Sequence, residues 1–189
     1  MISDKYKKIL TDIHADTPFG KRSKIPKFAE DFIAKIKPNS ILDFGCGKGR
    51  LVDKLKEEYP DKVIQGYDPG NCKFDSSLDS VYVDLLMSTD VLEHIEPEFV
   101  DQTLEYLSKR SRYIYHLIAL SPAKLILPDG RNAHLILESK EWWRQKFLNL
   151  GYKILDEKYS EHTKIPKGQK KPMLIKKYFI MAEIDHGNT

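Results

Sequence analysis

The stretch Ser40-Ile41-Leu42-Asp43-Phe44-Gly45-Cys46-Gly47-Lys48-Gly49-Arg50-Leu51-Val52 decides how this chain is read. Its first five residues form a short apolar run, the pattern of a strand buried on both faces. Three glycines at alternate positions follow, and glycine lets the backbone turn sharply and approach a ligand closely. Leu51, Val52, Leu55 and Tyr59 then recur at helical spacing until Pro60 ends the pattern. A helix that starts directly after such a turn points its unpaired N–H groups at whatever the turn holds. Asp68 closes the next run, Val63-Ile64-Gln65-Gly66-Tyr67, 19 positions after Gly49. A carboxylate at that point can accept hydrogen bonds from both hydroxyls of a ribose.

Outward from this stretch, strand and helix signals alternate. That order predicts an α/β fold with a mainly parallel sheet and helices on both faces. Upstream, Tyr6, Ile9, Leu10 and Ile13 predict one helix, and Phe28, Phe32, Ile33 and Ile36 a second, with Pro26 in its first turn and a loop at residues 16–23 between them. Downstream, strands are expected at 81–87 and 113–120, helices at 97–109 and 140–150, and a Pro/Gly loop at 121–132. Gly151 is placed to end the last helix. Two final strands, 152–159 and 173–184, complete the sheet, the last one antiparallel. Trp142 and Trp143 are adjacent on a helix, so at least one is expected in the core. Residues 69–80, rich in Gly, Asn, Asp and Ser, are too few for a helix, a strand and a second crossover. The sheet is therefore expected to be shortened there, with no full-length helix. The chain is read as one domain, a helical cap at 1–37 on a core at 38–189.

The glycine spacing separates two cofactor classes. Dinucleotide-binding turns read G-x-G-x-x-G. Here Gly45, Gly47 and Gly49 read G-x-G-x-G, and Arg50 stands at the third glycine's place. The sequence from Ile41 to Gly49 closely resembles motif I of class I, Rossmann-like S-adenosylmethionine-dependent methyltransferases of the small bacterial and phage type. The resemblance implies a turn that wraps the amino-acid end of S-adenosylmethionine and an acid that holds its ribose. Those roles fall on Asp43, Gly45, Gly47 and Asp68, with Cys46 and Gly49 completing the cofactor turn. Asp90-Val91-Leu92-Glu93-His94-Ile95 resembles a second segment of that family, which lines the pocket near the transferable methyl group and makes Asp90 a further cofactor contact. The resemblance covers about residues 40–151 and departs at 69–80, where Asp75 and Cys72 are candidates for an adenine contact.

Methyl transfer from a sulfonium is an in-line displacement that needs an aligned nucleophile and a place for its proton. Histidine suits proton removal near neutral pH. His94, after a strand, and His134, after the loop Asp129-Gly130-Arg131-Asn132-Ala133, are the two catalytic candidates. Asp90, Glu93, His94 and His134 also resemble the metal site of small-RNA 2′-O-methyltransferases, and the acid-x-x-Glu-His portion, Asp90, Glu93 and His94, that of ubiquinone-pathway O-methyltransferases. Asp90 is shorter than the Glu of those sites, and metal-free relatives carry the same "L-E-H" letters, so no metal is assigned.

The remaining features bound the function. The chain has 189 residues, 41% hydrophobic and 31% charged, with a net charge of +3, a globular composition whose weak basicity does not imply nucleic acid. The basic excess is partly local, at residues 164–177. Cys46 and Cys72 form no disulfide framework or zinc spacing. No leader-like apolar stretch opens the chain and no run is long enough for a membrane span, so a reducing cytoplasm is expected. There is no Asp/Asn-Pro-Pro-Tyr/Phe motif, no Pro-Cys nucleophile and no room for a target-recognition domain, which argues against DNA as acceptor. The expected reaction is O-methylation of a small polar acceptor: a sugar, a surface-polysaccharide precursor or a phosphate-type metabolite. The rivals are a metal-assisted RNA ribose 2′-O-methyltransferase and a non-catalytic cofactor-binding partner protein.

Overall fold

The computed structural model describes residues 2–16, 24–165 and 172–184. The loop expected at residues 16–23 therefore lies outside the described residues except for Asp16, which ends α1, as does the middle of the basic stretch. The elements are α1 (Asp4–Asp16), α2 (Lys27–Ile36), β1 (Ser40–Phe44), α3 (Arg50–Glu58), β2 (Val63–Tyr67), β3 (Val83–Thr89), α4 (Val100–Ser108), β4 (Ser111–Ala119), α5 (Lys140–Asn149), β5 (Lys153–Lys164) and β6 (Met173–Glu183). Six strands form one sheet in the order β2-β1-β3-β4-β6-β5. β2, β1, β3 and β4 pair in parallel, and β6 runs antiparallel to both its neighbours.

The apolar runs read from the sequence are the buried centre of this sheet. Ile41, Leu42, Leu85, Leu86 and Met87 are all at 1% exposure or less. α2 and α3 cover one face, laying Phe32, Ile33, Val52 and Leu55 against Ile41, Leu85 and Tyr115. α4 and α5 cover the other, where Trp143 and Phe147 pack on Ile114, Ile118 and Ile180. Trp143 is the core member of the tryptophan pair, and Trp142 meets it edge-on, ring centroids 4.9 Å apart. α1 lies apart from both layers and packs Tyr6, Leu10 and Ile13 on Leu127 and Ala133 of the Pro/Gly loop.

Residues 69–82 hold no helix, as expected from their composition, and β2 is the edge of the sheet. This connection folds on itself: the Asp68 N–H donates to the Phe74 carbonyl (2.9 Å), and the Phe74 ring sits where a side chain on Gly49 would be. Several boundaries differ from expectation, and β4 starts two residues early, at Ser111. β3 starts two residues late, at Val83, whose N–H donates to Arg110, and it runs on to Thr89 because Asp90 then adopts φ +55°. The helix expected from Pro97 opens with a 3-10 turn, Pro97–Phe99, before α4. β5 extends to Lys164, paired with Met173 of β6, where a largely charged, exposed face hides the strand alternation.

Candidate active site

A cavity of about 240 Å³ opens at the carboxyl ends of β1, β2 and β3, the place where open α/β sheets bind ligands. Asp43, Gly45, Cys46 and Gly47 from the first turn line it, together with Asp68, Asp90 and His94. Gly49 lies outside the wall. Its φ of +75° starts α3, and the Phe74 ring fills the space beside it. Cys72 and Asp75 are also absent from the wall among the described residues.

Local chemistry explains the shape of the turn. Gly45 sits at φ +76°, and an added Cβ would fall 2.4 Å from Val91 Cγ1, so the two ligand segments can touch only through glycine. The Gly45 and Cys46 N–H groups donate to the Tyr67 carbonyl (2.7 and 3.0 Å), tying β1's turn to the end of β2. Asp68 then binds both loops: its Oδ2 accepts from Gly47 N–H (2.8 Å) and its Oδ1 from Gly70 N–H (2.9 Å). A carboxylate has about four acceptor sites, so it retains capacity for a ribose. The cavity thus offers a glycine cradle, a carboxylate at the ribose position and buried hydroxyls on Thr89 and Tyr6 without partners, which fits a nucleoside bearing an amino-acid arm. Burial pushes the Cys46 thiol well above its usual range, so it is an inert wall rather than a nucleophile.

The second motif leaves β3 in a strained turn. Asp90 holds a left-handed φ of +55°, its N–H donating to Leu117 (2.8 Å) and its carboxylate meeting Lys177 of β6 at 3.0 Å. A 3-10 turn, Leu92–His94, follows and aims Glu93 inward at 0% exposure. Glu93 Oε1 accepts from Ala119 N–H (2.9 Å), while Oε2 is buried without a hydrogen-bond partner. Burial and the nearby Asp90 hold this carboxyl well above its usual range. The Glu93 carbonyl accepts from Leu135 and Ile136 N–H (2.8 and 3.0 Å), which clamps the Pro/Gly loop alongside.

That clamp brings the two candidate histidines together. Their rings meet at a centroid distance of 4.8 Å. His94 Nδ1 donates to the Ala133 carbonyl (2.7 Å) and His134 Nδ1 to the Ser121 carbonyl (2.5 Å). A carbonyl can only accept, so both neutral rings carry their proton on Nδ1 and none on Nε2. Burial, with His134 close by, lowers the His94 pKa to about 4; burial also lowers that of His134. His94 faces the cavity and His134 stands behind it, with Nε2 4.0 Å from Glu93 Oε1. Glu93, His94 and His134 offer ligand atoms within 4.8 Å of one another, an arrangement able to hold a cation.

The wall also contains residues that no motif marks: Ile2, Tyr6, Leu10 and His14, one face of α1 and its entry. His14 Nε2 comes within 3.4 Å of Asp68 Oδ1. The available signal was a histidine in four-residue register with Tyr6 and Leu10 on an apolar stripe, which reads as packing until the helix is placed.

The chain matches the family described as "Methyltransferase domain" over residues 20–162. No curated protein sequence matches it. Among solved structures, one described as "conversion of a disulfide bond into a thioacetal group during echinomycin biosynthesis" superposes with a TM-score of 0.64 at 15% identity, covering 97% of this chain and 94% of that one. TehB from Haemophilus influenzae gives 0.58 at 15%, covering 87% of this chain, which spans 64% of TehB. The N-terminal domain of EvdMO1, in the presence of SAH and D-fucose, gives 0.55 at 13%, covering 84% and 82%. These likenesses show a shared fold. With the family match over most of its length, the chain belongs to the methyltransferase-domain family and is an S-adenosylmethionine-dependent methyltransferase.

Proposed function

We propose that the enzyme methylates an oxygen of a small, polar, uncharged acceptor such as a sugar or a surface-polysaccharide precursor. The observation that carries this is the pair of imidazoles whose Nε2 atoms are held proton-free by carbonyls on the opposite ring nitrogens. The cofactor supplies an electrophilic methyl group on a sulfonium. Asp43, Asp68, Asp90 and the Gly45–Gly47 turn hold it. His94 takes the acceptor's hydroxyl proton, and His134 packs against the His94 ring and keeps it aligned. The charged wall groups beside His94 and His14 are acidic, and among the described lining residues there is no lysine or arginine. Like-charge repulsion therefore disfavours the phosphate-type acceptor, and the same acids favour a sulfonium. The likeness to the EvdMO1 domain, whose structure was determined in the presence of D-fucose, supports a sugar. The unpaired cysteines fit a reducing cytoplasm. Transfer of labelled methyl from the cofactor to a panel of neutral sugars and their phosphates tests this reading. Methylation of the phosphates with none of the neutral sugars would sink it.

A second reading rests on the Glu93–His94–His134 cluster. A divalent cation held there would lower the pKa of an acceptor hydroxyl directly, as in metal-assisted ribose 2′-O-methylation. Each histidine already has its second nitrogen on a carbonyl, the support that metal-bound imidazoles usually have. Chelator sensitivity, with restoration by added divalent cation, separates this reading from the metal-free one. Absence of methyl transfer to any acceptor would leave a cofactor-binding partner protein.

A further inference from the structure

The helix α1 brings to the cofactor cavity a polar group that the hydrogen-bonded network leaves out. Tyr6 is 1% exposed and lines the cavity, and its hydroxyl is buried without a hydrogen-bond partner. Buried hydroxyls are nearly always paired, so an orphan in a ligand cavity calls for a ligand atom.

The position of Tyr6 along the cavity follows from how α1 is fastened. Ile2, Tyr6, Leu10 and His14 recur every four residues, about 6 Å apart along a helix axis. At one end His14 stands 3.4 Å from Asp68, the ribose acid. At the other, Ser3 N–H and Oγ donate to the buried Glu96 carboxylate (2.8 and 2.9 Å), two residues beyond His94. Arg131, 3.6 Å from Glu96, lies over the Tyr6 ring at 5.5 Å from its centroid. Tyr6 thus lies between two anchored points of α1, and its hydroxyl is buried away from water. Tyr6 lies two helical turns from the ribose acid, towards the histidines. With Asp68 read as the ribose acid, on which this step rests, the sulfur and amino-acid arm bonded to that ribose extend along the rest of the cavity, the part that Tyr6 lines. Burial keeps the phenol protonated far above neutral pH, so it can serve there as a donor. The oxygen acceptor on that part of the cofactor is the α-carboxylate. In a wall rich in acids, this carboxylate needs donors.

We propose that the Tyr6 hydroxyl donates a hydrogen bond to the amino-acid carboxylate of the bound cofactor, making α1 part of the cofactor site.

Calorimetry on the full chain tests this with two probes, S-adenosylhomocysteine and 5′-methylthioadenosine, which keeps the nucleoside and sulfur but lacks the amino-acid arm. Tyr6→Phe should weaken S-adenosylhomocysteine by at least about tenfold, the usual worth of a hydrogen bond to a charged group. It should leave methylthioadenosine unchanged. Without ligand, the variant should melt at the same temperature or higher, because an unpaired polar atom has been removed. An equal loss with both probes, or no loss with S-adenosylhomocysteine, would overturn the proposal. So would a lower melting temperature of the ligand-free variant, since the hydroxyl would then have a partner within the protein. Failure of the unsubstituted chain to bind S-adenosylhomocysteine would overturn the cofactor assignment and this proposal with it.

Discussion

His94 and His134 stand edge to face, their ring planes at 81° and their centroids 4.8 Å apart, although the whole of α4 and β4 separates them in the chain. The pairing depends on backbone rather than on the rings. Leu135 and Ile136 donate to the Glu93 carbonyl, and Ala133, the residue before His134, accepts from His94. One histidine's loop therefore sets the other's tautomer.

Replacing His94 by Gln should lower kcat by about 10²–10⁴-fold if it accepts the acceptor's proton. Binding of S-adenosylhomocysteine should persist, because the glycine turn and Asp68 are untouched. His134→Gln should have a smaller effect, since His134 stands behind the wall. Steady-state kinetics with calorimetry in parallel would measure both. The same assays with EDTA decide the metal question: the metal-free reading expects unchanged turnover, and the cation reading expects its loss and recovery on adding divalent cation.

Asp68→Ala should weaken the cofactor and the fold together. The carboxylate accepts from Gly47 and Gly70, so its removal leaves two N–H groups unpaired next to an open cavity. Affinity for S-adenosylhomocysteine should fall at least about tenfold and stability by about 1–3 kcal/mol. Calorimetry and urea melts would show whether both change. Loss of affinity with stability intact would mean that the carboxylate serves only the ligand.

Two glycines with the same backbone sign should respond differently to alanine. Gly45 has φ +76° and its Cβ would lie 2.4 Å from Val91 Cγ1, whereas Gly130 has φ +86° and nothing within 4 Å. Gly130→Ala should cost about 1 kcal/mol, the backbone term alone. Gly45→Ala adds a steric term of about 1–3 kcal/mol. Adding Val91→Ala to Gly45→Ala should recover part of that second term, read as coupling in a double-mutant cycle of urea melts.

Stability should fall in acid through His116. This residue is buried in β4, its Nδ1 2.8 Å from Ser88 Oγ and its ring stacked on Phe147, and burial lowers its pKa to about 3. A histidine with a depressed folded pKa takes up a proton in the unfolded chain first. Its contribution is therefore complete above pH about 6.5 and declines between 6.5 and about 3, by roughly 1.4 kcal/mol per pH unit. Urea midpoints across that range should show a shallower acid slope in His116→Gln. An unchanged slope would place the acid sensitivity elsewhere.

Most elements and the glycine turn were legible in the amino-acid pattern alone. Ile41, Leu42, Leu85 and Leu86 had to be buried strand because a continuous apolar run has no polar face to show. Gly45 and Gly47 had to be a turn because only glycine takes those positive φ angles without cost. Residues 69–80 could not be a helix, given their composition and number. Assembly across distance was not legible in that pattern. The charged strand at 160–164 was hidden because its partner on β6 supplies the pairing that its own alternation does not announce. Nothing local says that His134 returns to His94, since the hydrogen bonds that bring it there run from Leu135 and Ile136 to a backbone carbonyl, and every residue has one. Nothing local says that Tyr6 and His14 face a ligand, because an apolar helical stripe has the same spacing whether it covers a core or a cavity.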